Sequence, residues 1–310
     1  MVLVMLAVTF LSFAGLNFLG DPLVNILGPI ALADPADLPA DQAAQLVEAR
    51  EQYNLDDPFP VRYGKWVGDM LTGDFGRSFK NSINVSTELA DRLPITILLM
   101  VYAQVIAVVV SVPWAIWTAS RAYRLGDKVS TVFSFGLLGI PVFALVVLLF
   151  WLFAVRWQIF PTRFDDSDIT SRLSSLFLPA VSLAVPLIAT YQRLLRTDLI
   201  STLQEDFIAV ARAKGMSNFH ILFRHALRPS LFSMLTVFGI NTGALIGGSI
   251  VVEQYFGIPG IGKAAIEAII RDDFPVVLAV VVVVSLMFVL INVIVDLLYT
   301  YLDPRVKLDG

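Results

Sequence analysis

The sequence has no cysteine, only two histidines and few charges, and each shortage removes a class of function. Without cysteine there is no disulfide, thiolate metal site or thiol nucleophile, and two histidines leave little for imidazole chemistry. Charged residues make up 15% of the 310, and a formal net charge of -4 is too mild to suggest a nucleic-acid partner. What the chain has is apolar length. It is 57% hydrophobic before its 19 glycines are counted, where a soluble domain holds about 45 to 50% with glycine included. Several uncharged runs reach the ~20 residues that cross a hydrocarbon core as helix. The fold class expected is an all-α polytopic membrane protein.

Six apolar runs are present: Met1 to Leu19, closed by Gly20-Asp21-Pro22, then 96–119, 130–155, 176–195, 230–252 and 274–301. The polar, Pro/Asp/Ala-rich stretch from Ala33 to Pro94 cannot lie in lipid. This predicts six transmembrane helices: a first helix at 1–20, an extracytoplasmic segment at 21–95, a five-helix core at 96–302 and a tail at 303–310. Pro113, Pro141, Pro179 and Pro186 interrupt the runs, which bundled membrane helices tolerate. Segments 120–128, 193–228 and the tail carry 11 Lys and Arg, against 5 in 156–174 and 252–273 once the long 21–95 segment is discounted. The positive-inside rule therefore puts both termini in the cytoplasm of a multi-pass cell-membrane protein. Ala31-Leu32-Ala33 resembles a signal-peptidase site, but the missing basic n-region and the length of the first run favour a retained helix.

Within 38–93, Pro39 starts an amphipathic helix through Gln42, Leu46, Ala49, Arg50 and Tyr53, and Asp57-Pro58 ends it. Tyr63, Trp66 and Val67 offer anchors, and Gly73-Asp74-Phe75-Gly76 makes a turn. Two readings stay open: a structured loop, or a docking surface or gate for something delivered from outside.

The basic segment 193–228 reads as helix, turn, helix. Thr202 and Glu205 fit a capping box; Phe207, Val210, Ala211 and Lys214 then share a face. Gly215 suits the left-handed end of that helix. Ser217 can cap the next, with an apolar stripe of Phe219, Leu222, Phe223, Ala226 and Leu227, and Pro229 fits the start of the fifth span. Such a helix can seat in another protein's groove or lie on lipid headgroups.

The run from Asp206 to Ser217, DFIAVARAKGMS, followed by Arg224-His225-Ala226-Leu227-Arg228, resembles the EAA loop of ABC-importer permeases of the dipeptide/oligopeptide class. Gly20-Asp21-Pro22, Leu55 to Gly76, Val251 to Gly262 and Asp303-Pro304-Arg305 resemble that class in the same order, nearly end to end. The resemblance implies that the loop 197–228 carries a coupling helix seated in a cleft of a cytoplasmic ATPase. Asp206, Ala209, Ala211, Arg212, Lys214 and Gly215 are the coupling residues it assigns here. Ala209 stands where the general pattern has glutamate and Pro229 lies one residue late, which leaves Asp206 and Arg212 as candidates for the charged contact and Gly215 as pivot. Further implications are a second homologous permease, two ABC ATPase subunits or domains that bind ATP and Mg, and an extracytoplasmic substrate-binding protein. The chain itself would be non-catalytic and without a cofactor. Dipeptides, oligopeptides, glutathione and chelated nickel all remain open as cargo.

Gly257 to Ala264 imitates a phosphate loop, but Ala264 lacks the magnesium-binding hydroxyl and Pro259 removes an amide donor, so a turn and short helix are expected. His220 and His225, five residues apart, should diverge by roughly 140° on an α-helix and share no metal. Gln104, Asn241, Asn292 and Asp296 lie in apolar runs; Gln104 and Asn241 are the translocation-pathway candidates. Asn292 and Asp296 share a helical face near the expected cytoplasmic end, where solvation or a loop arginine would accommodate them. Gly243 and Gly247 have the GxxxG spacing of close helix packing. The rival from another class is an ion-gradient-driven secondary transporter or channel acting alone through these polar groups.

Overall fold

The computed structural model describes residues 2–19, 22–34, 37–52 and 56–302. Gly20, Asp21, Tyr53, Leu55 and the tail 303–310 with Asp303-Pro304-Arg305 lie outside the described residues, as does the side chain of Asp296. In order the helices are α1 Val2–Leu19, α2 Pro22–Leu27, α3 Ala40–Gln52, α4 Phe59–Leu71 and α5 Val85–Ala119. They continue with α6 Leu125–Leu138, α7 Val142–Leu149, α8 Ile169–Thr202, α9 Asp206–Ala213 and the single turn α10 Asn218–His220. Last come α11 Leu227–Phe256, α12 Ile261–Ile270 and α13 Phe274–Leu302. Among the described residues the β contact recorded is one isolated bridge, Arg77 to Asn84.

Among the described residues four helices are long and apolar enough to cross a membrane: α5, α8, the continuous helix Asn218–Phe256, and α13 over Phe274–Val295. A fifth candidate is the pair Leu125–Leu138 and Val142–Arg156, bent by 98° at the break between them. The sequence reads 130–155 as one span; Pro141 instead divides it. Proline holds the preceding residue out of the α region, and Pro141 is the extended N-cap of α7 at φ -60°, ψ 142°. Beyond α7 the chain loosens into a π-helical stretch, Phe150–Arg156. α1 holds a shorter apolar helix, Leu3–Gly15.

The chain forms two compact units, Met1–Ile95 with Pro259–Met287, and Thr96–Ile258 with Phe288–Gly310. In the first, Phe10 and Phe13 of α1 pack against Phe59, Tyr63 and, for Phe13, Trp66 of α4. The Tyr63 hydroxyl meets Thr9 Oγ1 at 3.0 Å. Tyr63 and Trp66, read from sequence as loop anchors, thus stand on a helix that Pro58 and Pro60 start and Thr72 ends. Leu23, Ala31 and Leu46 close a small core under α2 and α3, so the amphipathic helix expected after Pro39 is formed. Gly73 and Gly76 turn the next loop at φ 84° and 78°, values that L side chains avoid. Buried Asp273 anchors that loop by accepting from the Ser78 hydroxyl and from Phe79 N–H at 3.0 Å. Val85, Leu89, Ile261, Ala268, Val276, Ala279 and Val280 form the core beside it.

The second unit is built around α8, whose inner face is enclosed despite Pro179 and Pro186. Against it pack α6, α7 and α11. α11 and α13 meet at glycines: a Cβ on Gly239 would lie 2.7 Å from Val295 Cγ1, and one on Gly243 would lie 2.4 Å from Phe288 Cε2. Gly247 meets nothing within 4 Å, so the packed pair is Gly239 and Gly243, one step earlier than the GxxxG spacing expected. Asn292 turns its amide back to Phe288 O at 2.7 Å. The phosphate-loop look-alike is a helix end and a helix start: Gly257 closes α11 in the left-handed region at φ 68°, and Gly260 precedes α12.

Candidate functional site

Between α8 and α11 lies the arm that the sequence singles out. The capping box expected of Thr202 and Glu205 is not formed. Thr202 is the last residue of α8, and its Oγ1 meets Ser230 Oγ at 3.1 Å. Backbone turns continue past it, Leu203 N–H to Leu199 O and Glu205 N–H to Thr202 O, so the amides a box would satisfy are already paired. Glu205 then caps α9 through its extended backbone alone.

Gly215 ends α9 as expected, at φ 77°. Met216 N–H reaches back to Ala211 O at 3.2 Å and Gly215 N–H to Arg212 O at 2.9 Å, the paired bonds of a Schellman cap. Ser217 Oγ accepts from His220 N–H at 3.3 Å and starts the next helix. That helix runs without a break from Asn218 to Phe256. Pro229 is therefore inside it and does not start the fifth span. A proline ring collides with the carbonyl four residues back, here His225, and the chain widens there into π-helix over Ile221–Ala226, with Leu227 N–H bonded to Leu222 O.

The wider turn overturns the expected divergence of the histidines. In π-helix residues five apart fall nearly in line, and the His220 and His225 rings stand 5.6 Å apart between centres. Phe219 and Phe223 are likewise paired at 4.5 Å.

α9 rests on the π-helical turn with Ile208 and Ala211 buried. Ala211 thus faces inward, while Asp206, Ala209, Arg212, Lys214 and Gly215 face out. Around them Phe207, Val210, Met216, Phe219 and Phe223 are exposed, Phe219 to 71% and Val210 to 54%. An apolar patch with a charged rim is the surface of a protein contact.

The apolar helices carry a second set of polar groups. Gln104 of α5 is buried and donates to Thr242 Oγ1 of α11 at 2.6 Å, and its carbonyl accepts from the Tyr191 hydroxyl of α8 at 3.0 Å. Asn241 sits half-buried beside the same hydroxyl, and its Nδ2 has no hydrogen bond of good geometry among the described residues. The two pathway candidates are thus gathered by Tyr191. The next residue of α8, Gln192, accepts from Ser134 Oγ at 2.8 Å and donates to Thr118 Oγ1 at 3.1 Å. Next on α8, Arg196 grips Asp127 of α6 with two bonds, 2.5 and 2.6 Å, and Asp127 also accepts from Tyr123 N–H. Farther along α11, fully buried Glu253 accepts from Thr96 Oγ1 at 2.7 Å.

Sequence reading passed over Tyr191, Gln192, Glu253 and the Asp127–Arg196 pair. Gln192 lies in an apolar run and could have been found by the rule that selected Gln104. Asp127 and Arg196 sit at the ends of runs, where charges look solvated, and carried no such signal.

Residues 111–308 match the family model for the binding-protein-dependent transport system inner membrane component. The oligopeptide transport system permease protein AppB of Bacillus subtilis is 36% identical over 98% of this chain and 95% of its own length. The dipeptide transport system permease protein DppB of Alkalihalophilus pseudofirmus is 31% identical over 98% and 96%. Among solved structures, a chain of the MetNI methionine ABC transporter in inward-facing conformations is similar in fold. It has a TM-score of 0.57 and 17% identity, over 69% of this chain and 96% of that one.

Proposed function

This chain belongs to the inner-membrane components of binding-protein-dependent transport systems, and from that premise we propose that it forms half of a peptide-translocating pathway driven through its 197–228 loop. It is the non-catalytic permease subunit of an ABC importer; ATP is hydrolysed by partner subunits. Supporting peptide cargo are the names of relatives matched along nearly the whole chain. The observation that carries the coupling role is the exposed patch on α9 and the arm beyond it, Phe207, Val210 and Phe219 rimmed by Asp206, Arg212 and Lys214.

In this proposal two ABC ATPases, with ATP and Mg, seat α9 and its counterpart on a second homologous permease. An extracytoplasmic binding protein delivers the peptide. α9 follows closely on α8 and rests through Ile208 and Ala211 on the π-helical turn that leads into α11, while Thr202 of α8 is tied to Ser230 of α11, so a pull on α9 reaches both spans. The pathway face is the exposed stripe of α11, Ser233, Thr236, Ile240, Ala244, Gly247 and Val251. It contains hydroxyls and small residues on a helix long enough to span, and such residues cluster at protein interfaces and not against lipid. Asn241 lies at its margin, and Gln104 becomes accessible when the α5 to α11 contact opens. Completing the layout are six spans with α1 as the first, the 21–95 segment outside, the 96–302 core, and cytoplasmic termini including the tail 303–310.

Co-purification of the tagged chain from its native membrane tests the coupling role. Proline at Gly215 cannot adopt φ 77° and loses the amide bonded to Arg212 O, so Gly215→Pro should release the ATPases that wild type retains. Wild type that is well folded, recovered alone and active without ATP would overturn the proposal and favour gradient-driven transport.

A further inference from the structure

The histidine pair on the arm has no part in the coupling contact proposed above. His220 is exposed and His225 half-buried, and their rings lie 5.6 Å apart, tilted by 52°. Metal to imidazole bonds of ~2.1 Å place two rings that share one ion about 4.5 to 6 Å apart between centres. The observed spacing falls in that range. On an uninterrupted α-helix the same residues would point roughly 140° apart, and no ion could join them. The site exists because of the π-helical turn at Ile221–Ala226, which Pro229 imposes from its C-terminal side.

We propose that His220 and His225 form a two-imidazole site for a divalent transition-metal ion, conditional on the π-helical register. Imidazole pairs suit Cu(II), Ni(II) and Zn(II). No group of three or more His, Asp or Glu is assembled among the described residues, so water completes the shell. Arg224 and Arg228 on the same helix oppose a cation, which makes this a site of modest affinity. A bound ion fixes the register of the segment joining α9 to the spanning part of α11. The inference does not rest on the importer reading.

The probe is Cu(II), added to the purified full chain in detergent, carrying a tag free of histidine, and read by electron paramagnetic resonance. Wild type should show one Cu(II) with two nitrogen ligands. His220→Ala and His225→Ala should each reduce the signature to one nitrogen and weaken binding at least about tenfold. Pro229→Ala keeps both histidines but restores the amide and relieves the collision, so it should also lose the two-nitrogen signature, with helix content retained by circular dichroism. A single nitrogen in wild type overturns the site. Pro229→Ala binding Cu(II) as wild type does overturns its dependence on register.

Discussion

At the scale of single residues, the three glycines of α11 form a graded series. A methyl on Gly239 meets the stiff, branched Val295, one on Gly243 meets the half-exposed Phe288 ring, and one on Gly247 meets open space. Thermal unfolding in detergent should rank Gly239→Ala as the most costly, by about 1 to 3 kcal/mol, Gly243→Ala as milder because the ring can swing, and Gly247→Ala near neutral. Val295→Ala should rescue Gly239→Ala. The Asp127–Arg196 pair makes a sharper demand. With Asp127 2% exposed, Arg196→Met strands a buried carboxylate and should cost about 3 to 5 kcal/mol, whereas the double variant Asp127→Asn, Arg196→Met should recover much of it. A double-mutant cycle with no coupling would refute the pair as a structural tie.

At the scale of elements, α8 is capped at its start by Asp168. Its carboxyl is held below the ordinary aspartate value, first by the Ser171 N–H it accepts, which outweighs an opposing desolvation, and then by Thr170 N–H and the Ser171 hydroxyl. A lowered folded pKa means the cap's contribution is complete above the unfolded value of about 3.9 and is lost as pH falls through the folded one. The protection of the Ser171 amide, relative to its intrinsic exchange rate at each pH, should therefore be constant above the unfolded value of about 3.9 and be lost only as pH falls below it. In Asp168→Asn that pH dependence should vanish. α9 is a different kind of element: eight residues make a marginal helix by themselves, and Ile208 and Ala211 against the π-helical turn hold it. Ile208→Asp should unseat it and uncouple the arm while leaving the unfolding of the spans nearly unchanged.

At the scale of the whole molecule, the absence of cysteine makes single-cysteine labelling clean. Exposed positions Lys214 and Tyr123 should react with a membrane-impermeant maleimide from the cytoplasmic side, and Asp74 and Asp166 from the outside. Labelling of Lys214 and Asp74 from the same side would overturn the proposed topology. Along α11, cysteines at Ser233, Thr236 and Gly247 should react in a way that ATP alters in the assembled complex, whereas Leu245 and Ile246, buried against the bundle, should stay unreactive.

Much of this architecture was legible in order along the chain, because hydrocarbon admits little but helix and long apolar runs announce it. The end of α9 at Gly215 and the cap at Ser217 were equally legible, since local backbone geometry decides them and few residue types satisfy it. Proline proved ambiguous: Pro179 and Pro186 stay inside α8, Pro141 breaks a span by 98°, and Pro229 leaves its helix continuous but π-wound. Those outcomes turn on what packs around each freed carbonyl, which no window of sequence contains. The same holds for the gathering of Gln104, Asn241 and Thr242 about Tyr191, and for Arg196 on Asp127. The sequence by itself determined which segments seek lipid and where the turn at Gly215 lies, because hydrophobicity and backbone preference are local. Only the tertiary structure decided which polar groups meet, which face of α9 is left exposed and which histidines stand together, because those depend on helical register and on neighbours far away in the chain.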